Sequence, residues 1–341
     1  MMLNTLILND ENNADIEKSA EIIKNGGLVA FPTETVYGLG ADATNENACR
    51  NIFSAKGRPQ DNPLIVHLSS SEDASKYAYV NETFQKLAKK FMPGPLTVII
   101  PKKDTIPDTV TAGLDSVAIR VPIHETARKL IKLSGKPIAA PSANLSGKPS
   151  PTTAAHVIAD LAGRVDGILC GSDSEVGVES TVVKICDDGS VIICRPGKVT
   201  LEMLSEVCPN VSIDPAVLSK FDGKPISPGM KYRHYAPRVP VTILVGNEDE
   251  IIEFLSDKTA FGVLCYNEDK KLLTLPNAVS FGASRDHSEQ AHLLFDRLRY
   301  MDTLNDIEHI YARMPSTDGV GLAVYNRLIK AAGFSVIHVG K

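Results

Sequence analysis

The sequence predicts an α/β protein with two domains joined by a linker. The chain has 341 residues, more than one ordinary hydrophobic core accommodates. Short apolar runs alternate along it with amphipathic helical patterns. A segment punctuated by proline and glycine, residues 222–240, separates an irregular succession of these patterns from a regular one. We therefore predict a mixed α/β domain at residues 1–221, a linker at 222–240 and a small Rossmann-like α/β domain at 241–341.

Composition narrows the class of protein. No apolar run approaches the roughly 20 residues that cross a bilayer, and the first residues, MMLNTLILNDENN, lack the pattern of a signal peptide. The six cysteines are scattered without a CxxC pair, which argues against a zinc site or a disulfide framework. A net charge of -5 gives no overall attraction to nucleic acid, so any RNA contact needs a local basic patch. We expect a cytoplasmic protein without a membrane partner.

The first domain shows both helical and strand periodicity. Apolar residues three and four apart predict helices at residues 14–25, at 44–56 with Thr44 as the N-cap, after an Asn81 N-cap, at 124–134 and at 152–162. Continuous apolar runs predict buried strands at 28–31, 64–68, 96–100, 117–121, 137–140, 167–170, 181–185 and 191–194. The strands are too irregularly spaced for a simple βαβ repeat, so we expect a mixed sheet.

The second domain has a more regular alternation. We predict strands at 241–246, 260–266, 307–314 and 335–339. Helical spacing predicts helices at 248–257, 288–303 and 318–332. This order is typical of a small open α/β sheet.

The stretch FPTETVYGLGADA, residues 31–43, contains Gly38, Gly40 and Ala43 at the spacing of a GxGxxA dinucleotide fingerprint. That fingerprint needs its glycines directly between a strand and a helix. Here TETVY intervenes after the strand, and the next helix begins only after Thr44. The pattern therefore favours a loop that offers the hydroxyl groups of Thr33, Thr35 and Tyr37 to a small ligand, or a purely structural turn.

The stretch KGRPQDNPLIVHL, residues 56–68, brings two cations into one loop. Lys56 and Arg58 can converge on a single anion, since a guanidinium fork and an ammonium point charge both suit phosphate oxygens. Asn62 can add an amide, and His67 projects from the following strand. Taken singly, a Lys or Arg is more often a solvated surface group, and a His in a strand is more often a core residue. The prediction of an anion site therefore depends on the combination.

Further along, buried strands run into small polar residues. PIAAPSANLSGKPSPT supplies Ser142, Asn144, Ser146, Ser150 and Thr152, GVESTVV supplies Ser180 and Thr181, and CRPGKV supplies Arg195. Such a rim of hydroxyl and amide groups suits an anion, although a plain Ser/Pro loop is the alternative. Arg120 ends an apolar strand, where its guanidinium needs a carboxylate partner from the protein or from a ligand.

The sequence has no P-loop, GxSxG or HExxH motif and no paired carboxylates at metal-ligand spacing. Its chemistry is one of cations and hydroxyls at strand ends. That inventory suits a polyanion and a small zwitterion that react through positioning and charge stabilisation.

Taken in order, PTETVYGLGADA, KGRPQDNPL, GPLTV, RVP, PSANLSG, GVESTVV and RPG resemble the YrdC-like family. The following SPGMKYRHYAP resembles the linker of its longer, two-domain members. The combination of KxR (Lys56, Arg58) with SxN (Ser142, Asn144) is highly specific. The resemblance implies a twisted mixed sheet around a positively charged cavity, followed by a small Rossmann-like domain.

The resemblance also implies a nucleotidyltransferase reaction. L-Threonine, bicarbonate or CO2, and ATP with Mg2+ give L-threonylcarbamoyl-AMP and pyrophosphate, and a separate transferase complex then modifies ANN-decoding tRNAs. It implies catalytic roles for Lys56 and Arg58. On the nucleotide side it implies Arg58, Asn62, Ser116, Ser142, Asn144, Ser150, Arg195, Tyr232 and His234. Around threonine it implies Thr35, His67, Arg120, Ala140 and Ser180, with no protein ligand for the metal.

The linker SPGMKYRHYAPRVP is expected to fold over the cavity, so that Tyr232 and His234 shield a hydrolysis-prone adenylate from water. A solvated tether is the alternative. Three other functions stay open: a non-catalytic RNA-binding module, a carbamoyl-transfer role like that of hydrogenase-maturation proteins, and a nicotinamide dehydrogenase resting on GLGADA. The acidic net charge, the absence of CxxC pairs and the interrupted fingerprint weigh against them in turn.

Overall fold

The computed structural model describes residues 3–219 and 235–340, in two compact units. The first unit contains residues 3–146 and 150–219, and the second contains 147–149 and 235–340. Most of the predicted linker lies outside the described residues, so the predicted domain boundaries remain predictions.

The first unit is built on one mixed sheet. Its strands are β1 (Leu6–Asn9), β2 (Val29–Phe31), β3 (Gly38–Asp42), β4 (Ile65–His67), β5 (Leu96–Pro101), β6 (Ser116–Arg120), β7 (Ile138–Ala139), β8 (Gly167–Cys170), β9 (Thr181–Ile185), β10 (Val191–Arg195) and β11 (Val211–Ile213). Its helices are α1 (Asn13–Lys24), α2 (Glu46–Lys56), α3 (Glu82–Phe91), α4 (Asp108–Thr111), α5 (Glu125–Ser134), α6 (Ala154–Leu161) and α7 (Leu201–Ser205). The sheet order is β1-β8-β2-β3-β7-β4-β6-β5-β9-β10-β11, with parallel and antiparallel neighbours. This confirms the mixed α/β prediction.

The loop prediction for the GLGAD stretch is wrong, because Gly38–Asp42 forms strand β3. β3 pairs antiparallel with β2 and with β7. A Cβ at Gly40 would lie 2.7 Å from atoms of both Phe31 and Ile138, so only a residue without a side chain fits at position 40 of β3. Glycine is a poor strand former in general, and close tertiary packing overrides that preference here.

The predicted N-cap of α2 is also wrong by one residue. The side chain of Asn45, not that of Thr44, accepts hydrogen bonds from the first-turn amides of Asn47 and Ala48. Thr44 instead donates its hydroxyl to Asp42 at 2.7 Å. Both residue types cap helices, so the sequence pattern alone does not choose between them.

The two faces of the central strands bury different clusters. Because side chains alternate along a strand, neighbouring residues point to opposite faces. The large core takes Val66, Val98, Ile119, Val183 and Ile193. The opposite face has a small apolar cluster of Ile65, Ile99, Ala118, Val182 and Cys194. The polar residues predicted for the site lie beside this small cluster.

The second unit is an open, wholly parallel sheet. Its strands are β12 (Val241–Val245), β13 (Phe261–Cys265), β14 (Ala278–Ser280), β15 (His309–Arg313) and β16 (Val336–His338). Its helices are α8 (Glu248–Leu255), α9 (His287–Thr303) and α10 (Gly321–Ala331). The order β14-β13-β15-β12-β16 confirms the predicted Rossmann-like outline. Across both described ranges, no helix combines the length and the apolar character that a membrane span requires.

Candidate active site

Strand register places four polar residues in one row across the first unit's sheet. His67 of β4 pairs with Arg120 of β6, and Arg120 pairs with Thr97 of β5. Thr97 pairs with Val182 of β9, which pairs with Arg195 of β10. Residues paired across a sheet project from the same face, so this row lies beside the small apolar cluster. A register shift between Ile193 and Arg195 redirects Arg195 at the end of its strand.

Arg120 forms a buried ion pair with Glu34, a residue that the sequence analysis did not assign to the site. Arg120 Nη2 donates to Glu34 Oε1 at 2.7 Å, and both side chains are 5% exposed. Burial raises the pKa of the Glu34 carboxyl, but the charge and hydrogen bond of Arg120 outweigh burial and hold this pKa below its usual value. Arg120 Nε has no hydrogen-bond partner among the described residues. The predicted need of Arg120 for a carboxylate is thus met by the protein itself.

His67 is a neutral histidine in this environment. Burial and the neighbouring charge of Arg120 lower its pKa from 6.5 to about 3. Its Nδ1 lies 3.1 Å from the carbonyl oxygen of Ile65, and that oxygen can only accept. Nδ1 therefore carries the hydrogen, and Nε2 is left as an acceptor.

Ser180, immediately before β9, links Arg195 to Thr97. Arg195 donates through Nε to the Ser180 carbonyl at 3.1 Å and through Nη2 to the Ser180 hydroxyl at 3.2 Å. The hydroxyl groups of Ser180 and Thr97 lie 2.7 Å apart. All three residues are at most 5% exposed. The structure therefore joins a residue predicted for threonine to one predicted for the nucleotide.

Lys56 joins the KxR motif to the SxN motif. The helix α2 ends at Lys56 because Gly57 adopts a left-handed φ of 62°, which glycine takes without strain. Lys56 Nζ donates to the carbonyl oxygen of Ser142 and, at 2.6 Å, to that of Asn144. The Ser142 hydroxyl donates to Asn144 Oδ1 at 2.5 Å. The buried ammonium group of Lys56 therefore holds the Ser142–Asn144 turn in place.

Arg58 and Asn62 lie in the loop that follows α2. Arg58 Nη2 donates to the Asn62 carbonyl at 3.1 Å, and its guanidinium carbon lies 5.7 Å from the centre of the Phe53 ring. Asn62 Oδ1 is buried with no hydrogen-bond partner among the described residues. A ligand amino or hydroxyl group could satisfy that oxygen.

In the stretch that contains Thr35, Thr33 and Tyr37 bond to the protein instead of offering their hydroxyl groups to a ligand. Thr33 donates its hydroxyl hydrogen to the Val36 carbonyl at 2.6 Å, so in its 2.9 Å contact with Thr35 the donor is Thr35. Thr35 keeps acceptor capacity for a ligand. Tyr37 was predicted to offer its hydroxyl to a ligand. It is buried instead and donates to the Gly171 carbonyl at 2.8 Å, so this hydroxyl stabilises the fold.

The other residues predicted for the site are Ser150, Ala140, Ser116, Tyr232 and His234. Ser150 donates to Glu179 Oε1 at 2.5 Å, and the backbone amide of Ala140 donates to the Ile65 carbonyl at 2.9 Å. Ser116 begins β6, four residues before Arg120, so about 13 Å of strand separates the two. Tyr232 and His234 lie outside the described residues. Within residues 3–219 and 235–340, no group of three or more His, Cys, Asp or Glu could hold a metal ion.

Three buried residues of the site were missed from sequence: Glu34, Thr97 and Glu179. The signal for Glu34 was the unmet charge of Arg120, together with a carboxylate inside the PTET stretch. Nothing in the sequence shows that Thr97 faces Arg120, because that depends on the register between β5 and β6. Glu179 stands in the GVEST stretch next to Ser180.

One face of the sheet thus gathers guanidinium, imidazole and hydroxyl groups at buried positions, as in an enzyme that orients anionic and zwitterionic substrates. Comparisons with known proteins agree with this class. Residues 21–197 match the family of Sua5, YciO and YrdC proteins described as telomere recombination. Residues 199–333 match the threonylcarbamoyl-AMP synthase C-terminal domain.

Curated relatives resemble the chain over nearly its whole length. The threonylcarbamoyl-AMP synthase of Pyrococcus abyssi is 44% identical over 345 residues, covering 98% of this chain and 100% of the relative. That of Bacillus subtilis is 46% identical over 334 residues, covering 96% and 95%. A crystal structure of P. abyssi Sua5 complexed with L-threonine superposes with a TM-score of 0.90 at 42% identity, covering 98% of this chain and 100% of that one. The chain belongs to the YrdC-like family, among its two-domain threonylcarbamoyl-AMP synthases, which are nucleotidyltransferases.

Proposed function

We propose that the chain catalyses the reaction of ATP, L-threonine and bicarbonate or CO2 to L-threonylcarbamoyl-AMP and pyrophosphate. The observation that carries the proposal is the buried row of His67, Arg120, Thr97 and Arg195, flanked by the turn that Lys56 holds. This face offers separate groups for a zwitterion and for a polyanion. The names of the relatives and the threonine complex of a similar structure support the choice of substrates.

The groups around Arg120 suit threonine. Arg120 keeps Nη1 for the substrate carboxylate while Glu34 holds Nη2. His67 Nε2 and the Thr35 hydroxyl are acceptors that can receive the hydrogen atoms of the substrate hydroxyl and amine. Ser180 and the backbone at Ala140 complete the proposed subsite. Because Glu34 already balances Arg120, the subsite has little net charge, which suits a zwitterion.

The groups around the Ser142–Asn144 turn suit the nucleotide. Arg58 and Arg195 supply charge for the phosphates, and Lys56 supplies charge while it holds the turn. Asn62 Oδ1 can accept from an amino or hydroxyl group of the nucleoside. The remaining proposed contacts are Ser116, Ser142, Asn144 and Ser150. Of these, Ser116 has the weakest support because it lies at the far end of β6.

The chemistry needs orientation and charge stabilisation. The threonine amine loses a proton and adds to CO2, which forms a carbamate. A carbamate oxygen then attacks the α-phosphorus of ATP, and the bond to the β-phosphate oxygen breaks to release pyrophosphate. Lys56, Arg58 and Arg195 would offset the negative charge on the phosphates. Mg2+ would arrive with the phosphates of the ATP substrate, and the described residues include no group of three or more His, Cys, Asp or Glu that could hold a metal ion.

The test is pyrophosphate release by the purified full chain with ATP and Mg2+, leaving out L-threonine or bicarbonate in turn. We expect release only when both are present, with the mass of threonylcarbamoyl-adenylate among the products. Arg58→Ala should reduce the rate at least about 100-fold, the order expected for loss of a charged transition-state contact. Arg50→Ala is the matched control, because Arg50 lies on α2, the helix just before the Arg58 loop, with its side chain exposed and paired with Glu46. Release with threonine alone would instead indicate ordinary amino-acid adenylation and would refute the proposal.

The wider setting is part of the same proposal. The product would pass in the cytoplasm to a transferase complex that modifies ANN-decoding tRNAs, so the chain would serve tRNA indirectly. The contribution of Tyr232 and His234 stays a prediction from the family resemblance. Alanine at either position should raise the fraction of adenylate hydrolysed in solution, and an unchanged fraction would favour a solvated tether.

A further inference from the structure

Thr97 occupies the centre of the polar row. It is completely buried on β5, directly opposite Arg120, and its hydroxyl lies 2.7 Å from that of Ser180. Side chains directly opposite in an antiparallel pair have their Cβ atoms about 5 Å apart on one face. Thr97 therefore stands between the two groups that we propose as contacts for threonine.

The hydrogens of this chain can be assigned by counting donors. A guanidinium can only donate, so Arg195 Nη2 donates to the Ser180 hydroxyl oxygen at 3.2 Å. A hydroxyl group has one hydrogen and two lone pairs, so Ser180 keeps one lone pair and one hydrogen. The contact with Thr97 uses one of these two. If Ser180 donates to Thr97, the Ser180 hydrogen cannot bond the substrate. If Thr97 donates to Ser180, the Ser180 hydrogen stays available for the substrate.

We propose that Thr97 is a positioning residue for the threonine subsite. When threonine is bound, Thr97 donates to Ser180, and Ser180 directs its own hydrogen towards an acceptor oxygen of the substrate. Two donors, Arg195 and Thr97, then hold the Ser180 oxygen in place and strengthen its donation. The inference rests on the proposed function, because it requires that Ser180 contacts threonine. It adds a residue that acts through Ser180 without touching the substrate.

The first test is Thr97→Val, which replaces the hydroxyl with a methyl group of similar size. The KM for L-threonine should rise about tenfold, the order expected for one buried hydrogen bond. The KM for ATP should stay within about twofold, since a general disturbance of the fold would move both. Thr97→Ser keeps the hydroxyl and should restore the KM for threonine. Thr97→Ala removes the hydroxyl without adding a methyl group, and it carries the test if the valine variant does not fold.

The chain offers a matched control for this substitution. Thr111 is also buried, at 1% exposed, and its Oγ1 has no hydrogen-bond partner among the described residues. Thr111→Val makes the same chemical change where no hydrogen bond is lost. It should leave the KM for threonine unchanged. An equal rise in both valine variants would show a general packing effect and overturn the proposal.

A double-mutant cycle decides whether Thr97 acts through Ser180. In the Ser180→Ala background, Thr97→Val should raise the KM for threonine by less than about twofold further, because the group through which it acts is already gone. A full additional tenfold rise would mean that Thr97 contacts the substrate itself and would overturn the inference. If the Thr97→Val variant has the wild-type turnover rate and an unchanged KM for threonine, the inference is overturned and the proposed function stands. Wild-type protein without threonine- and bicarbonate-dependent release would overturn both.

Discussion

Lowering the pH from about 7 to about 5 should destabilise the first unit by about 2 kcal/mol through His67 alone. Burial and the Arg120 charge lower the pKa of this histidine in the folded protein to about 3, from an ordinary 6.5. The unfolded chain therefore binds a proton at His67 throughout the range between these two values, while the folded chain does not. A depressed pKa means that the stability is fully present above pH 6.5 and is lost as the pH falls towards 3.

The magnitude follows from these two pKa values. At about pH 5 the unfolded imidazole is almost fully protonated, and the resulting loss of folding free energy is about 2 kcal/mol. At about pH 7 the loss of folding free energy through His67 is only about 0.2 kcal/mol. Nearly all of the loss therefore develops between about pH 7 and about pH 5. Other groups also titrate in this range, so the effect has to be isolated by substitution.

The assay is urea denaturation followed by circular dichroism, for the wild-type protein and His67→Gln, at both pH values. Glutamine can keep a hydrogen bond to the Ile65 carbonyl but does not titrate. The variant should lose about 2 kcal/mol less than the wild type on acidification, since contributions from all other groups cancel in the comparison. Equal losses in wild type and His67→Gln would refute a buried, neutral His67.

Other substitutions probe the elements that hold the site. Glu34→Ala should destabilise the protein by about 3–5 kcal/mol, because it leaves the Arg120 charge buried without a partner. Urea denaturation measures the loss, and adding Arg120→Leu should recover part of it; no recovery would argue against the ion pair as the cause. Asn45→Ala should lower the stability by about 1 kcal/mol through loss of the α2 N-cap, with a smaller effect for Thr44→Ala. A larger loss of stability for Thr44→Ala than for Asn45→Ala in thermal denaturation would indicate that Thr44 is the N-cap.

Much of the site could be predicted from sequence because its chemistry depends on residue types at strand ends. Apolar runs that lead into Ser142 or Arg195 mark places where a buried strand meets a polar rim, and Lys56 and Arg58 mark the end of a helical pattern just before such a strand. Recognising these places needs no knowledge of distant contacts. The unmet charge of Arg120 likewise predicts a carboxylate partner without naming it. The parallel sheet of the second unit followed from its regular alternation of strands and helices.

Elements with weak local signals escaped this reasoning. β3 has three small residues in five, and it forms a strand only because β2 and β7 approach so closely that Gly40 has no room for a Cβ atom. Local propensity contradicts that outcome, and tertiary packing prevails. The α2 cap was misplaced because Thr44 and Asn45 are both good capping residues.

The sequence by itself determined which groups this protein brings to its chemistry: cations, hydroxyls and a histidine after apolar strands, in an order that belongs to one family. Only the tertiary structure decided how those groups are combined. The register of β4, β6, β5, β9 and β10 aligns His67, Arg120, Thr97 and Arg195 in one row, although these residues are far apart along the chain. A shift of one residue in any of these pairings would turn a side chain to the opposite face. Periodicity shows which residues share a face of their own strand, but pairing between strands is a long-range interaction that local sequence does not encode.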